Sequence, residues 1–219
     1  MEINLSLSQL FENAFGYKSP AFDPEFAAVT GDVIGKRKET GKFGSAYYAN
    51  DAVGREYFMP VAIDVGTAMI KGTSTTYAEA LGANGLNGPQ DGTWRLPYPV
   101  LSAEIVVKVV DTELTEQYGM VSELINVSGY KITVRGFVIN QTANEFPEDD
   151  CDTLNRLVGL KTRFAIYNPL TDLLLVPNNG QRMVTIRKFN FVERGGTKHV
   201  KPYVMELMSD VAFNLNDIS

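Results

Sequence analysis

The stretch EFPEDDCDTLNRLVG, Glu145 to Gly159, sets Glu148, Asp149 and Asp150 beside Cys151, the only cysteine of the chain. Carboxylates this close could hold a divalent cation or act as general acid and base, and a thiol among them could be a nucleophile. Each chemistry needs neighbours that this segment lacks. A cation needs ligands converging from elsewhere or the spacing of an EF-hand loop, and the acids follow no such spacing and have no histidine close by. The one histidine, His199, lies between Lys198 and Val200 in a strand-like segment and reads as a surface residue, so any Ser/His/Asp or Cys/His mechanism would depend on that single imidazole. The expectation is that no residue is catalytic, none binds a cofactor and none binds a metal.

The same residues fit a helix start. Pro147 suits the first helical position, Glu148, Asp149 and Asp150 then face the positive end of the helix dipole, and Cys151, Leu154, Leu157 and Val158 form one apolar stripe. Gly159 stands where a left-handed terminal residue is wanted. Other motifs also favour bland readings. The glycines of GANGLNG match neither a phosphate-binding loop nor a dinucleotide fingerprint. Asn126 and Asn140 head glycosylation triplets short enough to occur by chance. Trp94 and Tyr130 could line a sugar platform, but aromatic residues in strands are core residues first.

The elements that would position these residues follow from pattern. LSLSQLFENAFG puts Leu7, Leu10, Phe11, Ala14 and Phe15 on one side of a short amphipathic helix, with Ser6 or Ser8 as N-cap and Gly16 as terminator. Strands are expected near Lys42 to Tyr48 and Gly54 to Ile63, around an Asn50–Asp51 turn. Residues 66 to 92 hold six glycines in 27 and few charges, which predicts a long surface loop with one helical turn at Tyr77 to Leu81. AEIVVKVV reads as a buried strand, and in YKITVRGFVIN Tyr130, Ile132 and Val134 alternate with Lys131, Thr133 and Arg135 until Gly136, where a bulge or close backbone contact is expected. LKTRFAIYNP, DLLLVP, QRMVTIRKFNFVE and KHVKPYVMELMSD read as strands divided by Asn178–Gly180 and Gly195–Gly196 turns, the last with Tyr203, Met205 and Leu207 on one face.

These segments sum to an α+β, mainly β fold: antiparallel sheets forming a sandwich or half-open barrel, with a short packed helix and an N-terminal amphipathic helix. Residues 1–22 read as a docking helix or arm, and 23–219 as a single β-rich domain with a Gly-rich loop at 66–93. No apolar run is long enough for a membrane helix and no signal peptide opens the chain, so membrane insertion is not expected and cytoplasmic synthesis is. A single cysteine leaves no disulfide framework. With 20 Lys and Arg against 26 Asp and Glu, the net charge of −6 argues against general nucleic-acid binding. The charge is uneven: Arg182 to Lys201 holds Arg182, Arg187, Lys188, Arg194, Lys198 and Lys201 against Glu193; interleaved apolar residues make it the wet face of a hairpin, with a partner surface as the alternative.

The order LPYPV, a strand, TEL, GMVSELI, YKITVRGFVI, the FPEDD helix and a last strand ending LMSD resembles a family of structural proteins in the tail modules of phages of Bacteroidetes and related hosts. More distantly it is similar to tail-tube and baseplate-hub proteins. The likeness spans roughly Trp94 to Asp210. It implies a non-enzymatic subunit of a virion tail, joined with copies of itself in a ring and with neighbouring tail or baseplate proteins, DNA meeting it only in transit through the lumen. An acidic wall would repel DNA phosphates and let the genome slide. A β-rich carbohydrate-binding or adhesin module of the tail tip is the alternative, resting on Trp94 and the tyrosines.

Overall fold

The computed structural model describes residues 6–22, 40–51, 54–66, 68–81, 93–113, 120–140, 145–179, 182–193 and 198–209. The Gly195–Gly196 turn and the GANGLNG segment lie outside them. Helix α1 (Leu7–Phe15) forms as its pattern requires: the Ser6 hydroxyl accepts from the Gln9 N–H, and Gly16 at φ 81° ends the helix. Strands β1 (Tyr48–Asn50) and β2 (Glu56–Phe58) make a two-stranded sheet around a turn in which the Gly54 N–H donates to Asp51. The expected strand from Lys42 is mostly loop, tied by a bridge from Thr40 to Ala46.

The main sheet has seven strands, all antiparallel: β3 (Ala62–Asp64), β4 (Thr93–Arg95), β5 (Val100–Glu113), β6 (Met120–Ile139), β7 (Arg163–Tyr167), β8 (Met183–Phe191) and β9 (Val200–Ser209). Their order is β4-β3-β7-β8-β9-β6-β5. Strands β4 and β5 stand at opposite edges, yet only Leu96 to Pro99 joins them. Five residue steps from Arg95 to Val100 span at most about 18 Å, whereas six strand spacings laid flat would need about 29 Å. The sheet must therefore curl until its edges approach, which makes it a half-open barrel. The Tyr203 hydroxyl on β9 donates to the Pro97 carbonyl at 2.9 Å and holds this link.

Inside the curl lie Ile63, Trp94, Ile132, Val134, Phe164, Ile166, Val184, Tyr203, Met205 and Leu207. Helix α2 (Tyr77–Leu81) contributes Leu81 and helix α3 (Glu148–Gly159) contributes Cys151, Leu154 and Leu157 to the same core. A second cluster covers the other face of β6, where Phe137 and Ile139 meet Leu7, Leu10 and Phe11 of α1 together with Phe22, Tyr57 and Tyr98. Helix α1 thus docks on the body of its own chain.

Several expectations need correction. The apolar run from Phe137 to Ile139 is no bulge: Val138 faces the barrel core while Phe137 and Ile139 face α1, so both faces of β6 are covered there. Gly136 is instead a close contact, because a Cβ on it would lie 2.5 Å from the Tyr203 hydroxyl oxygen. DLLLVP is not a strand but part of helix α4 (Pro169–Asn179). Asn168 caps that helix, its side-chain oxygen accepting from the Leu170 N–H at 2.9 Å, and Pro169 takes the first helical position. The 66–93 segment is not all surface loop: Met69 bridges Thr76, and Leu81 is fully buried. In α3, Pro147 is the N-cap rather than the first helical residue, and the left-handed residue past its end is Lys161 at φ 49°, not Gly159.

Candidate functional site

Among the described residues no group of His, Cys, Asp and Glu side chains could hold a metal ion. Glu148 and Asp149 are exposed on the first turn of α3, where they complement the helix dipole. Cys151 is buried, and its burial, with Asp150 nearby, pushes the thiol pKa up to about 12, which is the reverse of an activated nucleophile. His199 is not a surface residue but 7% exposed, and its carbonyl accepts from the Asn140 N–H just past the Ile139–Val200 pair of the β6–β9 ladder. Trp94 and Tyr130 are 2% and 8% exposed, so neither offers a ring face to a sugar.

Two polar networks have architectural roles. Asp51 accepts from the Arg55 Nε at 2.7 Å and from the Tyr98 hydroxyl at 2.8 Å. Burial alone would raise the Asp51 pKa, but hydrogen bonds from the Arg55 side chain and backbone and from Tyr98 outweigh it and hold the carboxyl below its ordinary value. Tyr98 sits at φ 39° with its ring stacked on Phe137 at 4.9 Å, fixing the entry to β5. On the opposite side, Arg182 donates to Asp172 at 2.9 Å and to the Phe43 carbonyl at 2.9 Å, and Asp172 also accepts from the Ser45 N–H. Arg182, first of the basic series, is therefore a structural tie, while Arg187, Lys188 and Lys198 are exposed.

The feature that architecture does not absorb is the far half of the β5–β6 pair. Strand β9 is described to Ser209, whose hydroxyl accepts the Tyr130 N–H at 2.8 Å, and beyond Tyr130 strand β6 pairs, among the described residues, with β5. Gly129, at φ 143°, stands at the exit; a Cβ there would be 3.1 Å from the Ser209 hydroxyl oxygen. Register shifts between Val106 and Val107 and between Lys108 and Val109 follow, so the ribbon twists as it leaves the sheet. The face that carries Leu101 and Ala103 over the core continues outward as Ile105, Val107 and Val109, which are 55%, 43% and 49% exposed; Val110 on the other face is 38% exposed. AEIVVKVV is therefore not a buried strand. The face of Ala103, Ile105, Val107 and Val109 suits a core, and the fold leaves its outer three residues exposed.

The described residues form a mainly β, antiparallel half-open barrel from which a ribbon with an exposed apolar face projects. Residues 95–218 match the family model described as Domain of unknown function (DUF6046), which is more than half the chain, and the protein belongs to that family. A comparison with curated proteins found no match. Among solved structures, a chain from "Tail of empty GTA particle computed with helical refinement, C6 symmetry" is similar at 16% identity and a TM-score of 0.33, covering 55% of this chain and 84% of that one. So low a score supports no argument about a shared fold. Among the described residues no helix is long and apolar enough to cross a membrane.

Proposed function

We propose that the protein is a non-catalytic structural subunit of a phage or phage-like tail, forming part of a ring at the tail tube or baseplate hub. The observation that carries this is the ribbon: a 14-residue edge strand whose exposed Ile105, Val107, Val109 and Val110 a lone chain leaves in water. Long apolar edge strands are surfaces that association completes, and identical head-to-tail contacts close into rings. The motif series from Trp94 to Asp210, resembling tail-module proteins, falls on the barrel and its ribbon, which supports the same reading. Copies of the chain and adjoining tail proteins are the expected partners, with DNA passing through the lumen and the virion tail as its location.

The test is electron microscopy of the purified chain, alone and co-expressed with the products of neighbouring genes. Rings or tube segments are the expected result. A chain that enters no higher assembly in either preparation would remove the proposal. Absence of chemistry is checked separately: the Asp149→Asn, Asp150→Asn double variant should assemble as the parent does, and turnover lost in that variant would instead make the acids catalytic.

A further inference from the structure

We propose that before assembly the chain is a two-fold dimer, joined by antiparallel pairing of the outer edge of β5 with the same edge of a second copy, centred on Val106. Strand β5 is last in the strand order, runs 14 residues and contains no proline. Natural edges are blunted by shortness, proline or inward charge, and between Val100 and Val110 this one carries only Glu104 and Lys108, of opposite sign.

The sequence of the strand selects the register. A two-fold axis perpendicular to an antiparallel pair passes through two equivalent residues lying opposite each other, so the pairing is centred on a residue. Centred on Val106, Glu104 of each copy faces Lys108 of the other, Ile105 faces Val107, and Ala103 faces Val109. Both charges thus meet their opposites and every other central position is apolar against apolar. Centring on Lys108 would oppose two ammonium groups. Centring on Val107 would set Glu104 against Val110 and Lys108 against Val106, and centring on Val109 or Val110 would set Lys108 against Val110 or Thr112. Only the Val106 register opposes Glu104 and Lys108, and its one apolar-to-acid pair, Leu101 with Asp111, lies toward the ends.

The charge row already exists within one chain. Lys131 pairs with Glu206 at 3.7 Å and lies directly across from Glu104 in the register. Lys108 of the second copy would extend the row Glu206, Lys131, Glu104 with the next alternating sign. The antiparallel sense also sets the two barrels at opposite ends of the joined strands, so each body lies beside the other's ribbon.

This inference names the contact made by the ribbon of the proposed tail subunit, but it stands without the ring. A two-fold contact closes on itself, so the dimer is a form that holds the edge until head-to-tail contacts replace it. A dimer that never enters a ring would keep the inference and remove the tail role.

Val106→Cys is the decisive variant. Opposed Cα atoms in antiparallel pairs lie about 4.5 to 5.5 Å apart, within disulfide reach, so mild oxidation should give a covalent species of twice 24.2 kDa. Ser102→Cys alone should not cross-link, whereas Ser102→Cys with Val110→Cys should, since those positions face each other. Lys108→Glu, an exposed position, should leave the circular dichroism spectrum unchanged and weaken the dimer about tenfold by light scattering, and adding Glu104→Lys should restore it to within about threefold. A mass of 24.2 kDa for the native chain at about 100 μM, with no cross-link at position 106, would overturn the dimer. Cross-linked ladders longer than two chains in the Ser102→Cys, Val110→Cys variant, which carries two engineered thiols per chain, would overturn the two-fold in favour of head-to-tail pairing.

Discussion

Gly136 and Tyr203 face each other across β6 and β9, and the tyrosine ring fills the space a side chain at 136 would occupy. The ring cannot yield, because it is fully buried and its hydroxyl is bonded to Pro97. Gly136→Ala should therefore destabilise the fold by about 1 to 3 kcal/mol, the range of overpacking, read from chemical denaturation. Leu154→Ala, fully buried on α3, should cost about 2 to 5 kcal/mol; a loss below about 0.5 kcal/mol would place that stripe in solvent. Arg182→Ala should cost about 3 kcal/mol because it leaves the buried Asp172 carboxylate without its guanidinium, and Arg182→Lys should not restore it, since one ammonium cannot reach both Asp172 and the Phe43 carbonyl. For Asp51 the sign is that of a carboxyl with a depressed folded pKa: its stabilisation is present above the unfolded value near 3.8 and is lost as pH falls through the lower folded value. Thermal melts of Asp51→Asn should accordingly fall below the parent at neutral pH, the gap closing below pH 3.8.

At the scale of elements, what could be read in advance depended on whether the signal was local. Helix α1 was legible from Ser6, Gly16 and its apolar spacing, and α3 from its acidic first turn, because caps and stripes lie within a few residues of the element they define. Helix α4 was missed because DLLLVP serves a buried strand or a buried helix equally well; the pair Asn168–Pro169 was the signal that decides it. The exposure of β5 was not legible at all. Burial depends on how far β9 pairs along β6, and nothing in AEIVVKVV reports that extent. For the candidate site the acidic first turn and the stripe holding Cys151 were legible as a helix start, but His199 read as a surface residue, since Lys198 and Val200 beside it give no hint that it is buried. The ribbon makes an elemental prediction of its own: replacing Val107 to Val127 with a two-residue Asn-Gly turn should leave the melting temperature of the monomer within a few degrees and abolish self-association in light scattering, because none of the described side chains of that segment, 107–111, belongs to either core cluster.

Across the whole molecule, the two halves of the chain share one sheet. β3 and β4 come from the first hundred residues and join the sheet's strand order through β7, while Leu81 and α1 bind early segments to late ones. The thermal transition should then be single and cooperative, with calorimetric and van't Hoff enthalpies equal in a variant that does not self-associate. Removal of residues 67–92 would take Leu81 out of the core and should lower the melting temperature. The pairing of Ile63 with Ile166 spans 103 positions, and its effect reaches back to synthesis. A ribosome adding about 5 to 20 residues per second delivers Ile166 roughly 5 to 20 s after Ile63, and through that interval β3 has no β7 to join. Slowing translation between codons 96 and 163 lengthens the wait, and the yield of soluble protein should fall as it does.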